Sequence, residues 1–463
     1  MKTIDTLPRA KDRSSQIDLK GLDRRIDQTK QWFASTDEDH LGHLESELKL
    51  DAESFLRFEL ERAAQAKADA TPPECPRCGA KLTKCRPSQR TIQTSFGKIT
   101  IQRVRGWCAK CEEWFVPADH RLGIERGYSP SVQEMAALFA SKMPVAEASK
   151  MMKKTTGIPL PEKTLERVAK KAADKAQHKR RQMDKDASQG RDTPEARGEK
   201  QPETLIIEID AWNIRERDDW GQSERLRKKG KDPKRWHWVW TATVFSLEHR
   251  LEKNKRPIIV QRGYVATREG LDALREQLHA EAMRRGLSGA LRVIVIGDGA
   301  AWIWNLAGDR FPEAVQRLDL YHLREHLHEL SRQLHPDEQQ AERWRKQMKR
   351  KLDKGQAAKV VASLEEAVEA YAGERREEVE RELNYFKEHA ERMDYKDAAD
   401  RGEPVGSGAI ESTCRQYQCR FKRPGQFWSR KGDEAYLCLD TFWRNERWGT
   451  LFPPCSRTDV SQN

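Results

Sequence analysis

The chain lacks any run of eighteen apolar residues, and it has no basic leader followed by an apolar core. The first absence excludes a membrane-spanning helix and the second a secretion signal, so the expectation is a cytosolic protein with no membrane partner. No internal repeat is visible, and Gly406-Ser407-Gly408 is no phosphate loop, because it lacks the longer glycine spacing and the lysine. What the chain does have is charge. Its 86 Lys and Arg outnumber 74 Asp and Glu for a net charge of +12, which suggests a polyanionic partner. At 463 residues it has room for about two to four domains. Cysteine is sparse and odd in number, nine in all, and four of the nine form two Cys-x-x-Cys pairs. In a reducing compartment such pairs point to metal rather than disulfides.

Composition divides the chain. Residues 1–70 are charged and helix-prone, with Phe55, Leu56, Phe58 and Leu60 marking an apolar stripe, and read as a helical appendage. Thr71-Pro72-Pro73 breaks that helix; a cysteine-bearing segment follows over 71–122, and helices joined by a short turn fill 123–177. The stretch 178–203 has almost no apolar residues and reads as a solvated linker. Strands come next. Leu205 to Ile209, the alternating Trp236, Trp238 and Trp240, and Ile258 to Val260 are three strand candidates. A helix over 268–285, stopped by Gly286, precedes a strand at 291–296, a short helix with Trp302 and Leu306, and a strand from Val315 to Leu320. Three strands, helix, strand, helix, strand fits a mixed sheet with helices on its faces, the first three strands forming a meander. Residues 323–400 are helical, with apolar stripes such as Leu323, Leu327, Leu330 and Leu334. They read as an all-helical insertion between two parts of one domain, 204–322 and 401–463.

Cys75 and Cys78 form one pair and Cys108 and Cys111 the other. Two residues between thiolates let both reach one tetrahedral ion, and Pro76 and Gly79 suit such a knuckle. The alternating segment between the pairs, with a turn at Phe96-Gly97-Lys98, predicts the β-hairpins of a zinc ribbon around one structural Zn²⁺; unligated cysteines in a small core are the alternative, and Cys85 is a spare. Val145 to Thr155 and Glu162 to Ala173 read as helices joined through Gly157. That arrangement fits a DNA-binding helix-turn-helix, with Lys163, Thr164 and Arg167 near the start of the second helix and further phosphate contacts from Lys170 to Arg181. An ordinary helical hairpin is the alternative. A second mixture of cations and aromatics, Arg420, Lys422, Arg423, Phe427 and Trp428, suits phosphate contact with base stacking, or else an amphipathic surface.

Three acids end or follow these elements. Asp210 ends the first strand; Asp298 sits on the turn after Arg292-Val-Ile-Val-Ile-Gly; Glu411 follows Gly406-Ser-Gly-Ala-Ile. Gly297 and Gly299 would let a metal or phosphate approach Asp298, which could alternatively cap the helix beginning near Ala300. Glu208, on the same strand face as Asp210, competes for the first position, and Glu403 and Glu434 compete with Glu411. Three converging carboxylates require cations, and oxygen ligands select Mg²⁺ or Mn²⁺; two such ions suit in-line phosphoryl transfer.

With these residues the sequence resembles the DDE transposases of bacterial insertion sequences, in particular the Kra-type family, related to the Mutator-type transposases. The resemblance covers most of the chain. It rests on the four ribbon cysteines, Gly297-Asp-Gly-Ala-Ala-Trp302, Arg317-Leu-Asp-Leu-Tyr-His322 and Gly406-Ser-Gly-Ala-Ile-Glu-Ser412. It implies an α+β multidomain protein, a zinc ribbon and helix-turn-helix preceding a ribonuclease H-like sheet with its helical insertion. It also implies a catalytic triad of Asp210, Asp298 and Glu411 holding two Mg²⁺ or Mn²⁺, with an accessory role for Asp319 and His322. The implied activity is cleavage of transposon ends and strand transfer to target DNA by a homodimer or higher oligomer at the bacterial nucleoid. A zinc-ribbon DNA-binding regulator with an inactive catalytic fold, and a metal-dependent nuclease without strand transfer, are the rival expectations.

Overall fold

The computed structural model describes residues 17–36, 40–217, 221–230, 235–253, 256–370 and 373–453. Residues 1–16 of the expected appendage and 454–463 of the expected C-terminal part lie outside the described residues. The chain divides into two compact units, residues 1–172 and 173–463.

The first unit opens with helices α1 (Leu19–Ser35) and α2 (Leu41–Asp69), tied by a buried hydrogen bond of 3.0 Å from Thr29 Oγ1 to Asp51. A hairpin follows, β1 (Thr83–Thr94) and β2 (Gly97–Cys108), and β3 (Glu113–Phe115) adds to the end of β2. Thr94 pairs with Gly97, so the turn residues are Ser95 and Phe96 and Gly97 already belongs to the strand. Along β2 the backbone N–H groups of Thr100 and Gln102, left over from pairing with β1, donate to Glu61 (2.6 Å) and Gln65 (2.8 Å) of α2. Helix side chains thus cover a strand edge that would otherwise be open to pairing. Ile92, Ile99 and Ile101 pack with Ala64, Ala68 and Ala118 behind it.

Helices α3 (Pro117–Arg121), α4 (Pro130–Lys142), α5 (Val145–Thr156) and α6 (Glu162–Ser188) come next. Gly157 ends α5 in the left-handed conformation (φ 71°), as C-terminal caps require. Buried Ile158 and Leu160, with Ser149 Oγ donating to the Leu160 carbonyl (2.5 Å), fix the turn into α6. The helix-turn-helix pattern is therefore two helices around a packed turn, but the second helix is far longer than the sequence suggested.

That length corrects the expected linker at 178–203. Its first part continues α6 to Ser188, and several of its charges are paired with distant residues. Arg180 donates to Glu434 (2.9 Å), and Arg284 donates to Asp184 (2.9 Å) and Asp192 (3.0 Å). The partners lie 92 to 254 positions on, so local composition gave no sign of them.

The second unit is built on a five-stranded mixed sheet: β4 (Thr204–Arg215), β5 (Trp236–Ser246), β8 (Gly263–Thr267), β9 (Arg292–Gly297) and β10 (Val315–Leu318), in the order β10-β9-β4-β5-β8. The first three strands pair antiparallel, and β9 and β10 run parallel to β4. Between β4 and β5 lies the short helix α7 (Ser223–Lys228). The third strand corrects the expectation. Arg256–Ile259 is β7, paired with β6 (Arg250–Lys253) in a separate two-stranded ribbon, and the meander is completed by β8. Helices α8 (Leu271–Arg284) and α9 (Ala301–Arg310) connect the later strands.

After β10 the chain is all helical: α10 (Leu320–Leu334), α11 (Glu338–Asp353), α12 (Ala357–Val368), α13 (Glu374–Glu388) and α14 (Tyr395–Asp400). Their apolar stripes join one face of the sheet, where Leu205, Ile207, Ile209 and Val295 meet Leu323, Leu327 and Phe386 in a single core. Arg317 in β10 closes the insertion. It is fully buried and bonds Asp394 (2.7 and 2.6 Å), Glu403 (2.7 Å) and the Pro404 carbonyl (2.9 Å). The opposite face, with Ile206, Phe245, Ile294 and Ile296, receives Ala409 at the start of α15 (Gly408–Phe421). Helices α16 (Arg430–Arg444) and α17 (Trp448–Leu451) complete the described chain. Among the described residues no helix is long and apolar enough to cross a membrane.

Candidate functional site

Strand register brings the acids to one edge of the sheet. Glu208 pairs with Ile296 across β4 and β9, so two residues further on Asp210 stands level with Asp298. Gly297 pairs with Leu318 across β9 and β10, so Asp298 stands level with Asp319. Neighbouring strands are about 4.8 Å apart, so this row of aspartates crosses three adjacent strands. Asp298 and Asp319 follow the ends of β9 and β10, whereas Asp210, expected to end its strand, lies within β4, which runs on to Arg215. Ligands of open α/β sheets bind where parallel strands end.

Two buried acids set the third element in place. Asp319, 1% exposed, caps α10 by accepting from the N–H groups of Tyr321 (2.5 Å) and His322 (2.9 Å) through Oδ1. Its Oδ2 accepts from the backbone N–H of Ser407 (2.6 Å) and from the Ser407 hydroxyl. Glu208, also 1% exposed, accepts from the Ile410 N–H (2.8 Å). Burial pushes Glu208 up to about 8, against the pull of the Ile410 and Ala409 N–H groups. Glu208 and Asp319 thus pin the segment 407–410 to the sheet. Gly406 passes where any side chain would meet the Tyr321 ring at 2.5 Å.

Pinned this way, the first turn of α15 carries Glu411 to Asp210. Burial raises the Asp210 carboxyl, and the charges of Asp298 and Glu411 raise it further. The Cys414 thiol, one turn beyond Glu411, is raised by burial and by the Asp210 charge and hydrogen bonds Asp210. Glu411 stays half exposed, with Arg415 at 3.5 Å. The three carboxylates therefore share one electrostatic neighbourhood, while standing farther apart than the cysteine cluster does. The rival acids are occupied elsewhere. Glu403 pairs with Arg292 (2.7 Å) and Arg317, and Glu434 with Arg180 and the Arg268 N–H (2.6 Å).

Asp298 also does what its helix-capping alternative required, accepting from the Ala300 N–H at 3.0 Å. The glycines beside it have a different use from the one expected. A side chain at Gly297 would meet Ile303 at 2.8 Å, and one at Gly299, whose φ is +104°, would meet the Tyr385 hydroxyl at 2.6 Å. They make room for the protein's own packing. Tyr385 of α13 donates to the Asp298 carbonyl (3.0 Å) and stacks on His326 at 4.0 Å, which in turn bonds Glu382 (2.8 Å). No sequence signal tied Tyr385 to this turn. His322 is 39% exposed, edge-on to His326 at 5.0 Å and 3.5 Å from Glu325.

In the first unit Cys75, Cys78, Cys108 and Cys111 come together, their sulfurs all within 4.8 Å of one another. Among the described residues no other group of three or more such ligands is as tight. Burial raises the Cys75 thiol, but the backbone N–H groups of Arg77 and Cys78 and the neighbouring thiols bring it down to about 7. Four thiols so placed can hold a zinc ion. Cys85 is exposed and outside the group.

A family profile described as "Uncharacterised protein family (UPF0236)" matches residues 44–447, which include both the thiols and the acids. The chain belongs to this family. No curated protein matches the sequence.

The basic residues of this UPF0236 chain divide by exposure. Lys163 and Arg167 are exposed at the start of α6 and Thr164 is half buried. In the Arg420 to Trp428 stretch two of the expected DNA contacts, Arg420 and Trp428, are buried, which corrects that expectation for both. Arg420 is buried among Phe421, Trp428 and Tyr436, and Trp428, 7% exposed, donates its indole N–H to the Phe421 carbonyl (2.9 Å). Arg423 donates to the Cys419 carbonyl (3.2 Å), Phe427 lies 4.5 Å from the Arg215 guanidinium, and only Lys422 is fully exposed.

Proposed function

We propose that this chain is a DDE-type DNA transposase, an enzyme that cleaves phosphodiesters at the ends of a mobile element and joins the freed 3′ ends to target DNA. The observation that carries the reading is the convergence of Asp210 within β4, Asp298 just past the end of the parallel strand β9, and Glu411 in the first turn of α15, each from a separate segment of chain. The mixed five-stranded sheet, an antiparallel meander followed by two strands parallel to the first, is compatible with the ribonuclease H-like reading.

The donor set fits divalent cations. Burial and the nearby charges of Asp298 and Glu411 raise the Asp210 carboxyl, a crowding of negative charge that a cation would relieve, and hard oxygen ligands match Mg²⁺ or Mn²⁺. Bound there, two such ions would activate the attacking oxygen and stabilise the leaving oxygen of an in-line displacement. Asp210 and Asp298 would hold them from adjacent strands, and Glu411 from the helix that Glu208 and Asp319 position. Asp319 and Glu208 are positioning residues in this scheme. A cleft of about 570 Å³ beside the 404–409 segment, with Arg250 and Arg262 on its wall, offers cationic contacts to a DNA backbone. The cysteine cluster, as a closed four-thiolate zinc site, would give the first unit a rigid frame, and Lys163, Thr164 and Arg167 would contact DNA as part of a helix-turn-helix.

The test is incubation of the purified chain with Mg²⁺ and DNA carrying its gene and native flanks. Cleavage and joined products from wild type, both absent in Asp298→Asn with DNA binding kept, support the proposal. Binding without cleavage makes the chain a DNA-binding regulator, and cleavage without joining makes it a nuclease.

A further inference from the structure

The β4–β5 hairpin outruns the sheet. Strand β9 pairs with β4 only to Glu208, and β8 pairs with β5 only from Trp240, so Ala211–Arg215 and Trp236–Val239 continue as a two-stranded ribbon from the edge that bears Asp210. One face of this ribbon holds Trp212, Ile214 and Val239, all buried. The other holds Ala211, Asn213 and Arg215 opposite Trp240, Trp238 and Trp236. Trp236 and Trp238 are each 52% exposed, an unusual placement for the largest apolar side chain.

The chemistry around these rings is cationic. The Arg215 guanidinium lies 5.8 Å from the Trp236 ring and its Nε has no hydrogen-bond partner among the described residues. The Lys422 ammonium lies 5.4 Å from the same ring. No acid occupies the six positions of this face, and α7, between the two strands in sequence, exposes Arg225 and Arg227 beside a Lys228–Glu224 pair at 3.1 Å. Residues two apart on a strand are separated by about 6.8 Å, close to twice the rise of about 3.4 Å between successive stacked bases. Two indoles at that spacing can each take the face of a base, or hold one between them, while the cations meet the flanking phosphates. A duplex hides its base faces, and an unpaired strand does not.

We infer that the exposed Trp236 and Trp238 face of this ribbon is a stacking platform for an unpaired nucleic-acid strand. The inference goes beyond the catalytic proposal and does not need cleavage to occur. It is tested by fluorescence anisotropy of a labelled short oligothymidine and of a blunt duplex of equal length, without divalent metal, on the full chain. Trp236→Ala with Trp238→Ala is expected to weaken oligothymidine binding about tenfold or more, and the Phe pair to stay within about threefold of wild type. Duplex binding, served by other surfaces, stays unchanged, and Asp298→Asn binds oligothymidine as wild type does. Unchanged oligothymidine binding in a folded alanine pair overturns the inference. So does an equal loss of duplex binding, or a loss of self-association in sedimentation that shows the face to be covered by a second copy. Because no cleavage is scored, failure here leaves the catalytic proposal intact, and an inactive enzyme that still binds through these rings leaves this inference intact.

Discussion

Glu208 and Asp210 lie two residues apart on one strand and differ in burial, Glu208 buried and Asp210 partly exposed, which separates their uses. Glu208 is enclosed and spends its carboxylate on a helix N-terminus; Asp210 is partly open and faces two other acids. A sequence shows that both point to the same face but carries no depth, so the choice between them was not legible. Replacing Glu208 with Gln keeps an acceptor for the Ile410 N–H, whereas Ala leaves that buried donor unpaired at a cost of about 1–3 kcal/mol. Urea unfolding is expected to show Glu208→Ala destabilised by that amount and Glu208→Gln close to wild type. Depth also misled in the other direction: Arg420 and Trp428 look like a nucleic-acid contact in the sequence and are core residues, while Trp236 and Trp238 look like strand and are exposed.

A second residue-scale prediction concerns pH. Asp433, fully buried, is pushed from 3.8 up to about 8, by burial first and then by the neighbouring Glu216 carboxylate. A carboxyl that holds its proton more tightly folded than unfolded contributes stability that is present in full below its unfolded pKa and is lost as pH rises through its folded pKa. Stability is therefore expected to decline between about pH 4 and pH 8, and Asp433→Asn to flatten that part of the profile. Denaturant midpoints measured across this range check it; an unchanged slope in the variant contradicts it.

At the scale of elements, the strands that were legible are those dense in branched apolar residues, Leu205–Ile209 and Val293–Ile296, at the sheet centre. β8 was missed because Gly-Tyr-Val-Ala-Thr at a sheet edge has no such run, while Arg-Pro-Ile-Ile has one and forms a peripheral ribbon. The extension of α6 was hidden for a related reason: its charges are satisfied by Glu434 and Arg284, which no local pattern reveals. Arg317 is the comparable link between β10 and the end of the helical insertion. Arg317→Ala leaves Asp394 and Glu403 without their shared cation and is expected to cost about 3–5 kcal/mol in chemical unfolding. Tyr385 makes the other link, from α13 to the Asp298 turn. Tyr385→Phe keeps the ring stack and removes the hydrogen bond, and should lower metal affinity at the acids by about tenfold with little change in stability.

At the scale of the whole molecule, the four-cysteine cluster was legible from its spacing, whereas the boundary expected at 178 falls inside α6. What could not be read was how distant segments meet: the 407–410 turn reaches the sheet through Glu208 and Asp319, contacts that depend on the folded chain. The two units also make separate demands. Cys75→Ser with Cys108→Ser is expected to lower the thermal transition of residues 1–172 and to leave that of 173–463 in place. Calorimetry with zinc quantified by mass spectrometry reads both.

The central claim is that Asp210, Asp298 and Glu411 make one divalent-cation site, and it is tested most directly without any DNA. Mn²⁺ binding followed by electron paramagnetic resonance should show ions bound by wild type and by Glu208→Gln, and lost from Asp210→Asn and Asp298→Asn while both remain folded. Equal Mn²⁺ binding by wild type and the two aspartate variants would contradict the account.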